Sequence, residues 1–441
     1  MDARPQHDSA DDARETHGEA GWERNLWVSV FGSFTTIVGM TLLLPFLPLY
    51  VEELGVTGHA DIVQWSGVAF SATFFTAALF APLWGRLGDL YGRKLMLIRA
   101  SLGMTIAISL IGTAQNVWQL VGLRLLTGFL GGYASGANLL VATQTPKART
   151  GWALGMLSSG MMAGNLAGPL IGGTLPPLIG IRNTFFAAGA MIAVAFLATT
   201  FLIKEEKRPP THKAKSRGGW SAIPDKRPVI AMLVTGCLLM FANMSIEPII
   251  TVYVATLVDQ AHVTFVSGLA MSAAALGSIL SASRLGKMAD RVGHWNVLIG
   301  CTVASAILLI PQAFVTAGWQ LVALRFLMGL ALGGLLPCIT SVIRHSVPVG
   351  VVGGVLGYAV SAQFVGQVAG PLAGGFVGGQ LGMRSVFIGT CLLMILGAVL
   401  NMVVQARAAR GKIRDLSARP TPRPRRFPGR RRTPSAPAPP A

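Results

Sequence analysis

Trp118-Gln119-Leu120-Val121-Gly122-Leu123-Arg124 recurs 201 residues later as Trp319-Gln320-Leu321-Val322-Ala323-Leu324-Arg325. Gly85 and Asp89 return as Gly286 and Asp290 at the same displacement, Gly168-Pro169 as Gly370-Pro371 at 202, and Pro45 and Tyr50 match Pro248 and Tyr253 at 203. A displacement held this constant marks a duplicated chain, and the repeat unit is half of it.

Composition says where such a chain lives. Of 441 residues 52% are hydrophobic and 12% charged, about half the charge a soluble domain carries, so a soluble enzyme is excluded. Twelve apolar runs near the ~20 residues that cross a bilayer lie between 25 and 405. The first covers 25–50, the fifth 151–175, the seventh 229–255 and the last 385–405. The net charge of +18 is not spread evenly: 19 of the 36 Lys and Arg lie in 204–227 or beyond Ala406. Among the connections, those after even-numbered spans hold the cations, including Arg86, Arg93, Lys94, Lys147, Arg149, Lys287, Arg291 and Arg344. The other connections hold Glu52, Glu53, Asp61 and Asp259, with Arg182 and Arg384 as exceptions. Basic loops stay inside, so both termini are expected on the cytoplasmic side of a cell's inner membrane.

The expected organisation is a cytoplasmic leader (1–24), a six-helix half (25–203), a basic Pro-containing linker (204–228), a second six-helix half (229–405) and a basic, Pro-rich tail (406–441). The leader holds seven acids and three arginines with no apolar core, so it is expected to be a disordered tail and not a cleavable signal. The tail should be disordered from Arg419 onward, and its role is read as retention and attraction to anionic lipid rather than nucleic-acid binding. Cys237, Cys301, Cys338 and Cys391 stand apart inside apolar runs and read as packing residues. No metal or cofactor is expected. Two parallel six-span halves place a substrate near the midplane and move it by rocking. No phosphate-binding loop is present to use ATP, so uphill movement would draw on an ion gradient.

The turn after the second span reads Gly85-Arg86-Leu87-Gly88-Asp89-Leu90-Tyr91-Gly92-Arg93-Lys94. It resembles the signature of the major facilitator superfamily between spans two and three, with Gly88 in place of alanine. The second copy keeps Gly286, Ala289, Asp290, Arg291 and Gly293 and has His294 for the family's arginine. The resemblance implies an all-α membrane protein of twelve transmembrane helices in two six-helix repeats. It also implies a charge lock in which Asp89, with Arg86 and Arg93, holds the cytoplasmic side shut. The alternative is a turn that needs only its positive charges.

Three more elements carry the resemblance. Leu120-x3-Arg124-x2-Thr127-Gly128 is similar to the family's fourth-span motif, which implies that Arg124, with Arg325 as its repeat partner, helps couple proton movement. The alternative for either arginine is a place nearer the interface, snorkelling to water. Gly155-x8-Gly164-x3-Gly168-Pro169-x2-Gly172-Gly173 looks like the antiporter motif of the superfamily's exporters, and Gly357 to Gly375 repeats it. Glycines four apart otherwise mark close helix packing of any kind. Gly39-x5-Pro45-Phe46-Leu47-Pro48 is similar to another exporter element.

Glu247 is the one acid well inside a span, among Met240, Phe241, Met244 and Ile246. A carboxyl in such surroundings could carry a proton and attract a cationic amphiphile. The alternatives are a watery position near the outer side or a structural hydrogen bond. Met40, Phe46, Tyr50, Phe241, Asn243, Tyr253, Tyr358 and Gln363 are candidate cavity residues, each open to a packing or lipid-facing role instead.

The reading is a monomeric, proton-coupled exporter of small amphiphilic drugs, with protons, substrate and the bilayer as partners. Its rivals are a dedicated exporter of one metabolite, such as a sugar, siderophore or endogenous antibiotic, and a non-transporting sensor or scaffold. No nucleophile, base or metal cluster converges to make an enzyme.

Overall fold

The repeated stretch shows how the spans are set. In the computed structural model, which describes residues 8–205, 221, 223, 225–348 and 351–417, Gln119 folds its Oε1 back to accept from the Gln115 amide at 2.8 Å, and Gln320 does the same for Thr316 at 2.9 Å. Asn116 adds an N-cap by accepting from the Gln119 amide at 2.9 Å. Trp118 and Trp319 stand about 70% exposed at the same helix starts, where indoles favour the membrane interface. One turn in, Leu120 and Leu321 are fully buried, followed by the buried Arg124 and Arg325. The heptapeptide thus encodes an interfacial anchor, a cap, a core contact and a buried cation.

Fifteen α-helices form the described chain. Span one is α1 (Asp8–Thr41), a 3-10 turn and α2 (Leu47–Glu53). Spans two and three are α3 (His59–Tyr91) and α4 (Arg93–Ile111), span four is α5 (Val117–Leu130) plus α6 (Tyr133–Gln144), and spans five and six are α7 (Thr150–Ile179) and α8 (Ile181–Leu202). The second half repeats this with α9 (Arg227–Val254), α10 (Val263–Val292), α11 (His294–Gln312), α12 (Gly318–Leu332) plus α13 (Leu335–Ser346), α14 (Val352–Leu381) and α15 (Met383–Ser417). Eleven spans are long and apolar enough to cross a membrane; the twelfth, α7, is 30 residues long but diluted by seven glycines. Helices satisfy their own backbone groups, which is what a chain crossing lipid requires.

Two differences from the sequence reading concern the ends. Helix α1 begins at Asp8, inside the leader expected to be disordered. Helix α15 continues past Gln405 to Ser417. The stretch from Arg419 lies outside the described residues.

Small residues set how closely helices meet. Gly164, Gly168 and Gly172 of α7 lie on α1: a Cβ on Gly164 would stand 2.8 Å from the Phe34 carbonyl oxygen, and one on Gly172 would overlap that of Leu42. Gly366, Gly370 and Gly374 of α14 repeat this against Cys237, Phe241 and Ser245 of α9. Gly173 and Gly375 point the other way, across the boundary between halves. A Cβ on Gly173 would stand 2.7 Å from the Thr264 carbonyl oxygen of α10, and one on Gly375 3.0 Å from that of Val63 on α3.

The contact between halves is sealed at one face. Ser71 donates to the Val368 carbonyl at 2.7 Å, Ser272 to that of Leu166 at 2.8 Å and Thr251 to that of Leu44 at 3.4 Å. All three bonds lie toward the face opposite the basic connections. Toward the basic face, Gly85, Gly155, Gly286 and Gly357 have open space where a Cβ would sit. Among the described residues no hydrogen bond or ion pair joins the halves toward the basic face, so they are closed at the opposite face and parted at the basic one.

Gly172→Ala should lower stability by about 1–3 kcal/mol through overpacking, read as a lower thermal midpoint in detergent, whereas Gly155→Ala should leave the midpoint unchanged. Equal effects would contradict the packing described.

Candidate functional site

Each half carries one buried arginine on its fourth span, and the two are treated differently. Arg325 of α12 donates through Nη2 to Oε1 of Glu247 on α9 at 3.2 Å, with 1% and 8% exposure respectively. Glu247 Oε2 and the Nε and Nη1 of Arg325 have no hydrogen-bond partner among the described residues. Arg124 of α5, 3% exposed, donates through Nε to the Ala69 carbonyl at 3.2 Å and lies 5.9 Å from the Phe70 ring, with no ion pair among the described residues. The reason is one residue: Pro248 corresponds to Pro45, so the repeat counterpart of Glu247 is Leu44.

The pair sits just inside the seal. Arg325 is seven residues into α12 and Glu247 seven residues before the end of α9, about 10 Å in from the opposite face. One turn beyond Glu247, Thr251 makes its bond to Leu44 of the other half. Two charges out of water hold together only as a pair, and a proton on Glu247 would leave Arg325 uncompensated. A proton arriving at this carboxyl therefore acts beside the contact that joins the halves. Sequence reasoning singled out Glu247 and Arg124 but did not pair Glu247 with Arg325, since the two lie 78 residues apart with no shared motif.

The antiporter glycines separate into the two groups described above, with Gly164, Gly168 and Gly172 inside the half, Gly173 across it and Gly155 in the open. Pro169 is buried within α7, and its carbonyl abuts Gly268 of α10. Of the candidate cavity residues, Phe46, Tyr50 and Tyr253 are packing residues here. Phe46 and Tyr50 stack on Phe185, and Tyr253 on Phe387, at 5.2–5.5 Å. Tyr50 donates to the Ile111 carbonyl at 2.6 Å and Tyr253 to that of Gln312 at 3.1 Å. These repeat-related bonds tie span ends to spans three and nine, and they bury the rings within each half. Met40, Phe241, Asn243 and Gln363 are half-buried, and Tyr358 is 55% exposed on the parted side of α14. Gln363 packs beside Gly236 on α9, the helix that also carries Phe241 and Asn243.

At the basic face Gly92 joins α3 to α4 at φ +98°, a backbone conformation suited to glycine, and Gly293 repeats it at +94°. Asp89, Arg86 and Gly85 are exposed, and Asp89 forms no ion pair among the described residues. The expected pairing of Asp89 with Arg86 and Arg93 is not made among the described residues. Arg93 instead donates through its side chain to Thr143 of α6. Glu205, just past α8, accepts from the Arg93 and Lys94 amides at 2.8 Å each, capping α4. Asn25 ties the same segment down, donating to the Lys204 carbonyl at 2.8 Å and to Gln144 at 2.7 Å. The linker expected to be flexible from 204 is thus anchored at its first two residues, a role no motif announced. In the second copy Asp290 faces His294 at 3.6 Å, and Ser341 meets that same Nε2 at 2.8 Å. Both partners on one ring nitrogen preclude a nucleophile relay.

The family model for the Major Facilitator Superfamily matches residues 29–314 and 263–438. The chain belongs to the major facilitator superfamily. Within the superfamily it is 43% identical over 381 residues to "Multidrug resistance protein MdtG" of Serratia proteamaculans, covering 86% of this chain and 93% of that one. It is 44% identical over 328 residues to the protein of that name in Salmonella typhimurium, covering 74% and 81%. Among solved structures, the bacterial homolog of the human lysosomal transporter Spinster, in its inward-facing, occupied conformation, superposes with a TM-score of 0.71 at 13% identity, covering 86% of this chain and 96% of that one. The human organic anion transporter MFSD10 gives 0.63 at 19% identity over 86% of this chain and 99% of its own. The facilitator fold of this chain is thus that of a multi-pass membrane transporter, not an enzyme.

Arg325→Gln should destabilise the protein by about 3–5 kcal/mol, because it strands the Glu247 charge in the interior. The double variant Glu247→Gln/Arg325→Gln should recover most of that loss in thermal unfolding. A double variant no more stable than the single one would contradict a direct pair.

Proposed function

We propose that the protein is an inner-membrane efflux transporter that exports small amphiphilic drugs in exchange for protons. It works as a monomer by alternating access, with both termini and the basic face cytoplasmic. The observation that carries this reading is the buried Glu247–Arg325 pair beside the seal between halves. Its relatives' name, multidrug resistance protein, supplies the cargo class. The basic loops support the orientation.

In this reading the conformation described is the one open to the cytoplasm after proton release, with Glu247 ionised and held by Arg325. A cationic or neutral amphiphile enters between the parted halves, against the faces carrying Phe241, Asn243, Gln363 and Tyr358. Closure of the basic face brings the Asp89 turn against the other half, and the opposite seal opens at Gly67, Gly173, Gly268 and Gly375. A proton from outside then takes the free Oε2 of Glu247, and the uncompensated Arg325 favours return to the state in which the proton leaves. Arg124, which has no acid, holds its span in place through Ala69 and contributes positive potential to the N-terminal half.

The test is drug-induced proton release from inverted vesicles carrying an imposed pH gradient, with cationic, neutral and anionic compounds. Cationic drugs should dissipate the gradient with the wild type, and Glu247→Gln should lower the response by about tenfold or more, roughly 1.4 kcal/mol per decade. A variant that releases as many protons per drug as the wild type would sink Glu247 as the coupling acid. A wild type that moves no protons with any compound would sink drug:proton antiport.

A further inference from the structure

The two halves differ where their second, third and fourth spans meet near the basic face. In the N-terminal half this space is filled. The Arg99 guanidinium lies 3.6 Å from the Trp84 ring centroid and donates to the Phe129, Leu130 and Gly131 carbonyls at 3.4, 3.1 and 3.1 Å. Trp84 also donates to the Phe129 carbonyl at 2.8 Å, and its ring tilts against that of Phe129 at 5.3 Å. At a displacement of 201 the same three positions are Leu285, Gly300 and Leu330. All three line an apolar groove of about 460 Å³ between α10, α11 and α12. The groove exists because an arginine, a tryptophan and a phenylalanine have been replaced by smaller residues.

The groove has the dimensions of a lipid site and lies beside a basic stripe. Along α11 it runs from Asn296 near the basic face to Leu308, about 18 Å at 1.5 Å per residue, close to the ~15 Å depth of one leaflet's hydrocarbon. The neighbouring stripe of α10 carries Arg284, Lys287 and Arg291, all exposed and without an ion pair among the described residues. Their counterparts in the first half are Leu83, Arg86 and Leu90, so the half that lost its filling has also gained two cations. The nearby acid, Asp290, is turned to His294. An apolar slot beside a stripe of exposed cations favours an anionic amphiphile and disfavours a cationic one. Long basic side chains reach the headgroup level while their stems lie along the helix.

We propose that this groove is a binding site for an anionic phospholipid, with one acyl chain between α10, α11 and α12 and the phosphate held by Arg284, Lys287 and Arg291. The site occurs once per chain, in the C-terminal half, and is separate from the path between the halves.

Native mass spectrometry of the full-length protein, released from micelles containing equal phosphatidylglycerol and phosphatidylcholine with identical chains, tests it. The wild type should retain phosphatidylglycerol about fivefold or more over phosphatidylcholine, roughly the worth of one basic side chain at an anionic surface. Arg284→Gln/Lys287→Gln/Arg291→Gln should erase that preference. Gly300→Phe, placed where a Cβ meets open space, should lower retention of both lipids without lowering the thermal midpoint. Equal retention of the two lipids by the wild type, or retention unmoved by both variants, would overturn the proposal. So would uptake of tetraphenylphosphonium in place of phosphatidylglycerol that Gly300→Phe abolishes, which would make the groove a lateral entrance for substrate.

Discussion

Backbone-to-backbone approach at glycine is the constraint on which the rest of this molecule depends. In a bilayer the helices gain little from hiding apolar surface, so they associate by close packing, and the closest packing needs residues without a Cβ. Helix α7 uses glycine on two faces. Gly164, Gly168 and Gly172 lock it to α1 within its half, while Gly173 meets α10 of the other half. Helix α14 repeats both contacts on α9 and α3. The first kind of contact makes each half a rigid body; the second makes a seal with few side chains in it, one that can part without repacking a core.

The buried ion pair derives its meaning from that seal. A carboxylate and a guanidinium out of water are stable together and costly apart, so any event that changes the charge on Glu247 must be answered nearby. What lies nearby is the contact between Thr251 and Leu44, one turn away and across the boundary. The duplication sharpens the point: Arg124 and Arg325 are equivalent by their place in the repeat, yet among the described residues only the second pairs with an acid. The two halves share a scaffold and differ in what it carries: the buried ion pair lies in the C-terminal half, and the turn capped by Glu205 in the N-terminal half.

The same asymmetry appears at the lipid-facing side. Arg99 over Trp84 closes the first half tightly, and smaller residues at both positions in the second leave an apolar slot beside a stripe of exposed cations. Each asymmetry was present in the sequence as a mismatch between repeats, Leu44 against Glu247 and Arg99 against Gly300. A mismatch alone does not say whether neighbouring side chains refill the space or leave it open.

The sequence by itself determined the spans, the duplication, the glycine faces and the one acid inside the bundle. These follow from local quantities: apolar length, loop charge and residue spacing along a helix. It was least informative about the ends, where helix-forming residues in the leader continue α1, and about Tyr50, Phe46 and Tyr253, whose aromatic character suits a cavity wall and a packed core equally. The tertiary structure alone decided that Glu247 meets Arg325 and not Arg124, that Glu205 caps α4, and that the halves are sealed at one face and parted at the other. Those facts depend on which helix faces come together across tens or hundreds of residues, and no periodicity within a span carries that information.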